Sequence, residues 1–107
     1  MTPLVVTPTE DNRYIVAKPF RVNEALVIPK GYKTNGANIP RIFWVIVPPF
    51  KPKFLPAVVV HDFLCDKERY KEADWYFEKI LFSVEKSFVT KAMVVAVKLY
   101  HKVRYGV

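Results

Sequence analysis

The sequence predicts a single α+β domain over residues 1–107, in which short antiparallel strands precede three to four helices. Residues 1–35 alternate β-branched or aromatic residues with polar ones and are interrupted by turn signals. From about residue 38 the apolar residues recur at helical spacing instead. Strands followed by helices along the chain are typical of the α+β class.

The N-terminal third is expected to contain three to five short strands arranged as a meander. Turn-forming residues separate the candidate strands at Asp11 and Asn12, at Asn23 and Glu24, and around Gly31. Each apolar segment between these turns is only a few residues long, so every strand should be short.

The remaining chain predicts up to four helices. Asn38 is a candidate N-cap for a short first helix over residues 39–44. A second helix, over residues 54–65, is apolar nearly all round and should therefore be central and buried. Asp66 is a candidate cap for a third helix over residues 67–84. Because the connection at Asp66 is short, the second and third helices should form a buried antiparallel hairpin.

The fourth helix is expected to begin at Ser87 or Thr90 and to end at Gly106. Its predicted inward stripe consists of six apolar residues: Phe88, Ala92, Val95, Ala96, Leu99 and Val103. Three lysines, Lys91, Lys98 and Lys102, are predicted to project together from the opposite face. They are either an ordinary solvated face or a binding surface for anionic lipid or nucleic acid.

Composition and charge narrow the class of protein. Hydrophobic residues make up 51% of the chain, which is enough for a packed core, and the net charge of +7 is spread along the sequence. No apolar stretch reaches the roughly 18–20 residues that cross a bilayer, and the first residues lack the features of a signal peptide. Cys65 is the single cysteine, so no internal disulfide can form, and a buried, inert thiol is expected there.

His61, Asp62 and Asp74 interrupt otherwise apolar helical patterns. In the predicted hairpin, His61 and Asp74 lie at heights that differ by only about 4–5 Å, so a hydrogen bond between the helices is within reach. A carboxylate on one imidazole nitrogen makes the other nitrogen a better base towards water, and Asp62 could hold a cation beside that water. The alternative is that His61 and Asp74 only satisfy each other in a core, with Asp62 at the surface.

The loop over residues 31–41 is the second unusual segment. Gly36 after Asn35 indicates a tight turn, and small residues allow a backbone to approach a ligand or cation closely. Thr34, Asn35 and Asn38 are equally suited to satisfying the backbone of an ordinary strand-to-helix connection. Arg41 is a candidate partner for Asp62 or Asp74, or for an anion.

Four segments together resemble the phage and prophage family known as domain of unknown function 1353. They are the Gly-Tyr-Lys-Thr-Asn-Gly-Ala-Asn-Ile-Pro-Arg loop, the helix with His-Asp, the Arg-x-x-x-Ala-Asp segment, and the final Tyr-x-x-Val-Arg-Tyr-Gly; they occupy residues 31–41, 58–64, 69–77 and 100–106. Asn35 stands where the family usually has Asp, and Asn38 where it usually has Ser, so a loop carboxylate is missing here. The resemblance implies a phage context, with the protein in the host cytoplasm or in the virion and other phage proteins as partners.

A narrower segment resembles the core of prokaryotic phospholipase A2. His61-Asp62-Phe is followed by Ala-Asp74-x-x-Phe77 on the next helix. The resemblance implies that His61 activates water, that Asp74 orients His61, and that Asp62 binds calcium. The backbone around Thr34, Asn35 and Gly36 would complete that calcium site. The disulfides usual in that family are absent, and an HD-type phosphohydrolase fits less well because no histidine precedes His61.

Three functions are therefore open from the sequence. The first is a non-catalytic phage component of the virion, of the tail or of assembly. The second is a small calcium-assisted hydrolase of lipids or other esters, using His61 and Asp74. The third is a host-interaction protein, such as an inhibitor of host defence. Exposure of His61 separates the second from the others, because a catalytic imidazole must reach its substrate.

Overall fold

The computed structural model describes residues 1–10, 13–34 and 54–106, without the side chains of residues 101 and 105. The chain divides into two compact units, Met1–Gly36 and Ala37–Val107. The first contains strands and the second contains helices, which confirms the predicted α+β class. The first predicted helix, over residues 39–44, lies outside the described residues.

In the N-terminal unit, the described residues form four short strands in two antiparallel pairs. β1 (Val6–Pro8) pairs with β2 (Tyr14–Val16), and β3 (Phe20–Asn23) pairs with β4 (Leu26–Ile28) through an irregular register near Asn23. The side chain of Asn23 accepts a 2.9 Å hydrogen bond from the backbone N–H of Ala25, as expected for an Asx turn. Gly31, with a φ of 92°, forms the turn after β4.

The described part of the C-terminal unit, residues 54–106, contains three helices. They are α1 (Leu55–Asp66), α2 (Tyr70–Val84) and α3 (Phe88–Tyr105). α1 is buried on all sides, since the six consecutive residues from Ala57 to Asp62 are all buried, and it packs against α2 as the predicted hairpin. None of the helices in the described residues is long and hydrophobic enough to span a bilayer.

The predicted cap at Asp66 is wrong, because Asp66 is the last residue of α1 and α2 begins only at Tyr70. The chain reverses at Glu68, which has a left-handed φ of 58°. The backbone N–H of Glu68 donates to the carbonyl of Cys65 at 2.9 Å, and that of Arg69 donates to Leu64 at 2.9 Å. These bonds satisfy carbonyls that the helix end leaves without intrahelical partners, so the reversal needs no side-chain cap.

Both residues proposed as the start of the last helix contribute to it. Ser87 is the N-cap, and its hydroxyl accepts from the N–H of Thr90, while the Thr90 hydroxyl accepts from the N–H of Ser87 at 2.9 Å. This is a reciprocal capping box. Gly106, with a left-handed φ of 74°, ends α3 as predicted.

The predicted inward face of α3 is wrong. Among the described side chains of α3, the buried ones are Thr90, Met93, Val94 and Val97, whereas Phe88 is 86% exposed and Val103 87% exposed. α3 carries two apolar stripes about half a turn apart, and its packing against α2 buries the one that contains Val94 and Val97.

Candidate functional site

The core of the helical unit contains a histidine–carboxylate pair. The Nε2–H of His61 on α1 donates to Oδ1 of Asp74 on α2, with a nitrogen–oxygen distance of 3.0 Å. The chain reversal at Glu68 explains why these two side chains meet, because His61 lies seven residues before Glu68 and Asp74 six residues after it. The two side chains therefore stand within about 1.5 Å of the same height. The predicted hydrogen bond between the helices is confirmed.

The imidazole is enclosed by the hairpin that holds it. The His61 side chain is 0% exposed, while that of Asp74 is 14% exposed. The ring centroid of Phe77 lies 5.1 Å from that of His61, with the planes tilted by 59°. Cys65 Sγ lies 3.9 Å from both ring nitrogens, so the sulfur packs against the ring instead of lying in line with one N–H. The histidine joins α1 to α2 and does not face solvent in this conformation.

Asp62 is also fully inaccessible. The interpretation that placed this carboxylate at the surface is therefore wrong. A buried carboxylate costs free energy unless its surroundings compensate its charge. Asp62 thus marks a polar position inside the helical core, next to His61 along α1.

The predicted burial of the Cys65 thiol is confirmed. Burial raises the pKa of Cys65 far above its ordinary value, and the charges of Asp62, Asp74 and Asp66 raise it further. Because the thiolate is the reactive form, this thiol is protonated and unreactive at neutral pH.

The calcium-binding prediction depends on two separate parts of the chain. Thr34 belongs to the strand unit, where its N–H donates to the Tyr14 carbonyl at 2.9 Å and its hydroxyl accepts from the Tyr14 N–H at 3.1 Å. The Thr34 side chain therefore holds this segment against β2. Asn35 and Gly36, together with the other two loop candidates, Asn38 and Arg41, lie outside the described residues. Within residues 1–10, 13–34 and 54–106, no three His, Cys, Asp or Glu side chains are arranged to hold a metal ion.

The apolar stripe of α3 that was predicted to face inward is exposed. We call it the α3 stripe, and it consists of Phe88, Ala92, Val95, Leu99 and Val103. The lysines at 91, 98 and 102 do not oppose this stripe as predicted. Lys98, Lys91 and Lys102 lie three, four and seven residues from Val95. At about 100° of rotation per residue, all three therefore lie within about 60° of Val95 around the helix axis, on the same side of it. The helical period identified the stripe, but only burial shows that it faces outward.

A protein-family model matches most of the chain. The model of a family described as "Protein of unknown function (DUF1353)" matches residues 10–97. The chain belongs to this family. The DUF1353 match begins after β1 and includes β2, β3 and β4, the hairpin with His61 and Asp74, and the first half of α3. The description of the family assigns no activity to these elements.

A curated protein sequence is similar to this chain over a short stretch. It is the uncharacterized protein y4jT of Sinorhizobium fredii, which is 42% identical over 40 residues. That stretch covers 36% of this chain and only 12% of y4jT. No solved structure matches the chain significantly.

Proposed function

We propose that this DUF1353 protein is a non-catalytic phage protein, acting in the virion, in the tail or in assembly, and that His61 and Asp74 hold its helical hairpin together. The observation that carries the proposal is the complete burial of His61. A general base must come within hydrogen-bonding distance of the proton that it removes. Here Asp74, Cys65 and Phe77 already surround the imidazole.

The α3 stripe supports a role inside an assembly. Phe88 and Val103 are more than four-fifths exposed, and Val95 and Leu99 are each 57% exposed. Contiguous apolar surface of this kind is characteristic of interaction sites. The phage context itself rests on the resemblance of the loop and helix motifs to phage and prophage sequences.

The test separates the structural role of His61 from a catalytic one. In a phage that carries the gene, the gene is deleted and supplied in trans as wild type or as His61→Gln. Glutamine keeps an N–H that can donate to Asp74 but has no titratable ring nitrogen. We expect particle yield to be restored by the variant and mass spectrometry to find the protein in purified or partly assembled particles. A folded His61→Gln protein that fails to restore the yield would overturn the proposal.

A hydrolase is the second candidate, and the 3.0 Å His61–Asp74 bond is the observation that favours it. Such a bond would orient an imidazole for the activation of water if the helices opened. Release of fatty acid from phosphatidylglycerol vesicles in millimolar calcium is the direct assay. Release that His61→Gln abolishes would establish the hydrolase, and no release above a protein-free control would exclude phospholipase activity on this lipid.

A further inference from the structure

α3 carries an exposed apolar surface with cations along one edge and no acidic residue anywhere between Phe88 and Tyr105. The stripe residues Phe88, Ala92, Val95 and Leu99 follow one another at intervals of four, three and four. This is the spacing by which one helix packs along another. Lys91 and Lys98 occupy the positions that flank such a seam, and both are exposed.

We infer that the α3 stripe is the docking surface for an amphipathic helix of another protein, one with acidic residues along the edge that meets Lys91, Lys98 and Lys102. The inference rests on the proposed function, since a component of an assembly needs a partner surface.

Charge complementarity selects the partner. A partner helix with acidic flanking residues would pair with the lysines, which have no acidic neighbour on α3 itself. Of the three lysines, Lys98 also approaches Glu78 of α2 at 3.5 Å, an exposed contact of the kind that contributes little.

A second copy of the chain fits less well. An antiparallel pair of α3 helices would place the lysine row against itself, and like charges would repel. A parallel pair would place the lysines against Val89, Ala96 and Val103, none of which carries a compensating charge.

The shape of the stripe favours a helix over a lipid surface. Ala92 lies between the larger Phe88 and Val95 along the stripe, and such an alternation of large and small residues suits the interlocking of side chains between two packed helices. Helices that lie in a membrane interface present bulky apolar residues throughout, with cations spread over the polar face. On α3 the lysines follow one edge only, and the opposite face of the helix is buried in the protein.

The experiment uses the full chain and two fluorescent peptides of about three heptads, both with leucine at the a and d positions. One peptide carries glutamate at the e and g positions, and the other carries lysine there. Binding is followed by anisotropy for wild type and Val95→Glu, with Val27→Glu as the matched control. Val27 is an exposed valine of β4, 40% accessible, so both variants add the same charge at a surface valine.

We expect wild type to bind the glutamate peptide and to bind the lysine peptide at least about tenfold more weakly. Val95→Glu should weaken binding of the glutamate peptide by about tenfold or more, and Val27→Glu should leave it unchanged. Equal binding of the two peptides, or no binding of either, would overturn the inference.

Two further measurements identify the other occupants. Flotation with phosphatidylglycerol vesicles that depends on Val95, without binding of the glutamate peptide, would assign the stripe to lipid. Sedimentation showing a dimer that Val95→Glu dissociates would assign it to a second copy. Either result would rule out an acidic helix as the partner, but it would not change the outcome of the particle-yield test. Conversely, a failure of His61→Gln to restore particle yield would not change the measured binding of the peptides.

Discussion

His61 and Asp74 form a 3.0 Å hydrogen bond that joins α1 to α2 through the core of the helical unit. His61 contributes no exposed surface, and Asp74 is accessible over only 14% of its side chain. Removing either partner takes this hydrogen bond away from a polar group that has little or no access to water. The pair is therefore a determinant of stability, whatever else it does.

We expect His61→Ala and Asp74→Ala each to lower the free energy of unfolding by about 2–3 kcal/mol. The double variant should lose less than the sum of the two, because the His61–Asp74 hydrogen bond is already lost after the first substitution. Urea denaturation measures all three. Glu72→Ala is the control, since Glu72 is exposed on the same helix as Asp74 and its ion pair with Arg69 is exposed as well, so stability should not change measurably. Strictly additive losses would show that the two side chains are not coupled.

Cys65 should make the fold sensitive to alkali. Because folding raises the pKa of Cys65, the folded state holds the thiol proton more tightly than the unfolded chain. The resulting contribution to the free energy of unfolding is fully present below the pKa of the unfolded thiol, about 8.5. It decreases as pH rises above that value, by no more than about 1.4 kcal/mol per pH unit.

The check on Cys65 is a comparison of unfolding free energies for wild type and Cys65→Ala between neutral pH and pH 10. As pH rises, the free energy of unfolding should fall more steeply for wild type than for Cys65→Ala. A thiol reagent should also modify native Cys65 far more slowly than the denatured chain. A constant difference across this range would contradict the raised pKa.

Glu68 adopts a left-handed backbone conformation that glycine tolerates better. We expect Glu68→Gly to raise the free energy of unfolding, by up to about 1 kcal/mol. Lys67 has an ordinary φ of −90°, so Lys67→Gly should give no such gain and is the matched control. Thermal and urea unfolding distinguish the two. Equal effects of both substitutions would mean that the left-handed turn is not a source of strain.

A calcium titration tests the prediction that Asp62 is a ligand of a calcium ion. One carboxylate among carbonyl oxygens predicts weak binding, with a dissociation constant on the order of 10⁻⁴–10⁻³ M. If calcium binds there, calorimetry at millimolar concentration should show heat that Asp62→Asn abolishes and Asp66→Asn preserves. Asp66 is an exposed carboxylate at the end of the same helix, so it controls for the lost charge. No heat with wild-type protein would contradict the prediction.

The sequence by itself determined which segments form the elements and which polar residues meet in the core. Alternation followed by helical periodicity predicted the strands and helices, and Ser87, Thr90 and Gly106 predicted the limits of α3. The short connection between α1 and α2 was enough to predict the His61–Asp74 bond, since height along a helix depends only on residue number. These are local properties, so they can be read from neighbouring residues.

The tertiary structure alone decided which apolar face of α3 turns inward. Both the α3 stripe and the buried stripe that contains Val94 and Val97 repeat at helical spacing. Periodicity therefore does not indicate which of the two stripes is buried. It likewise decided that Asp62 is buried and that the α1–α2 reversal occurs at Glu68. Burial is set by which elements pack together, and that depends on residues far apart in the chain.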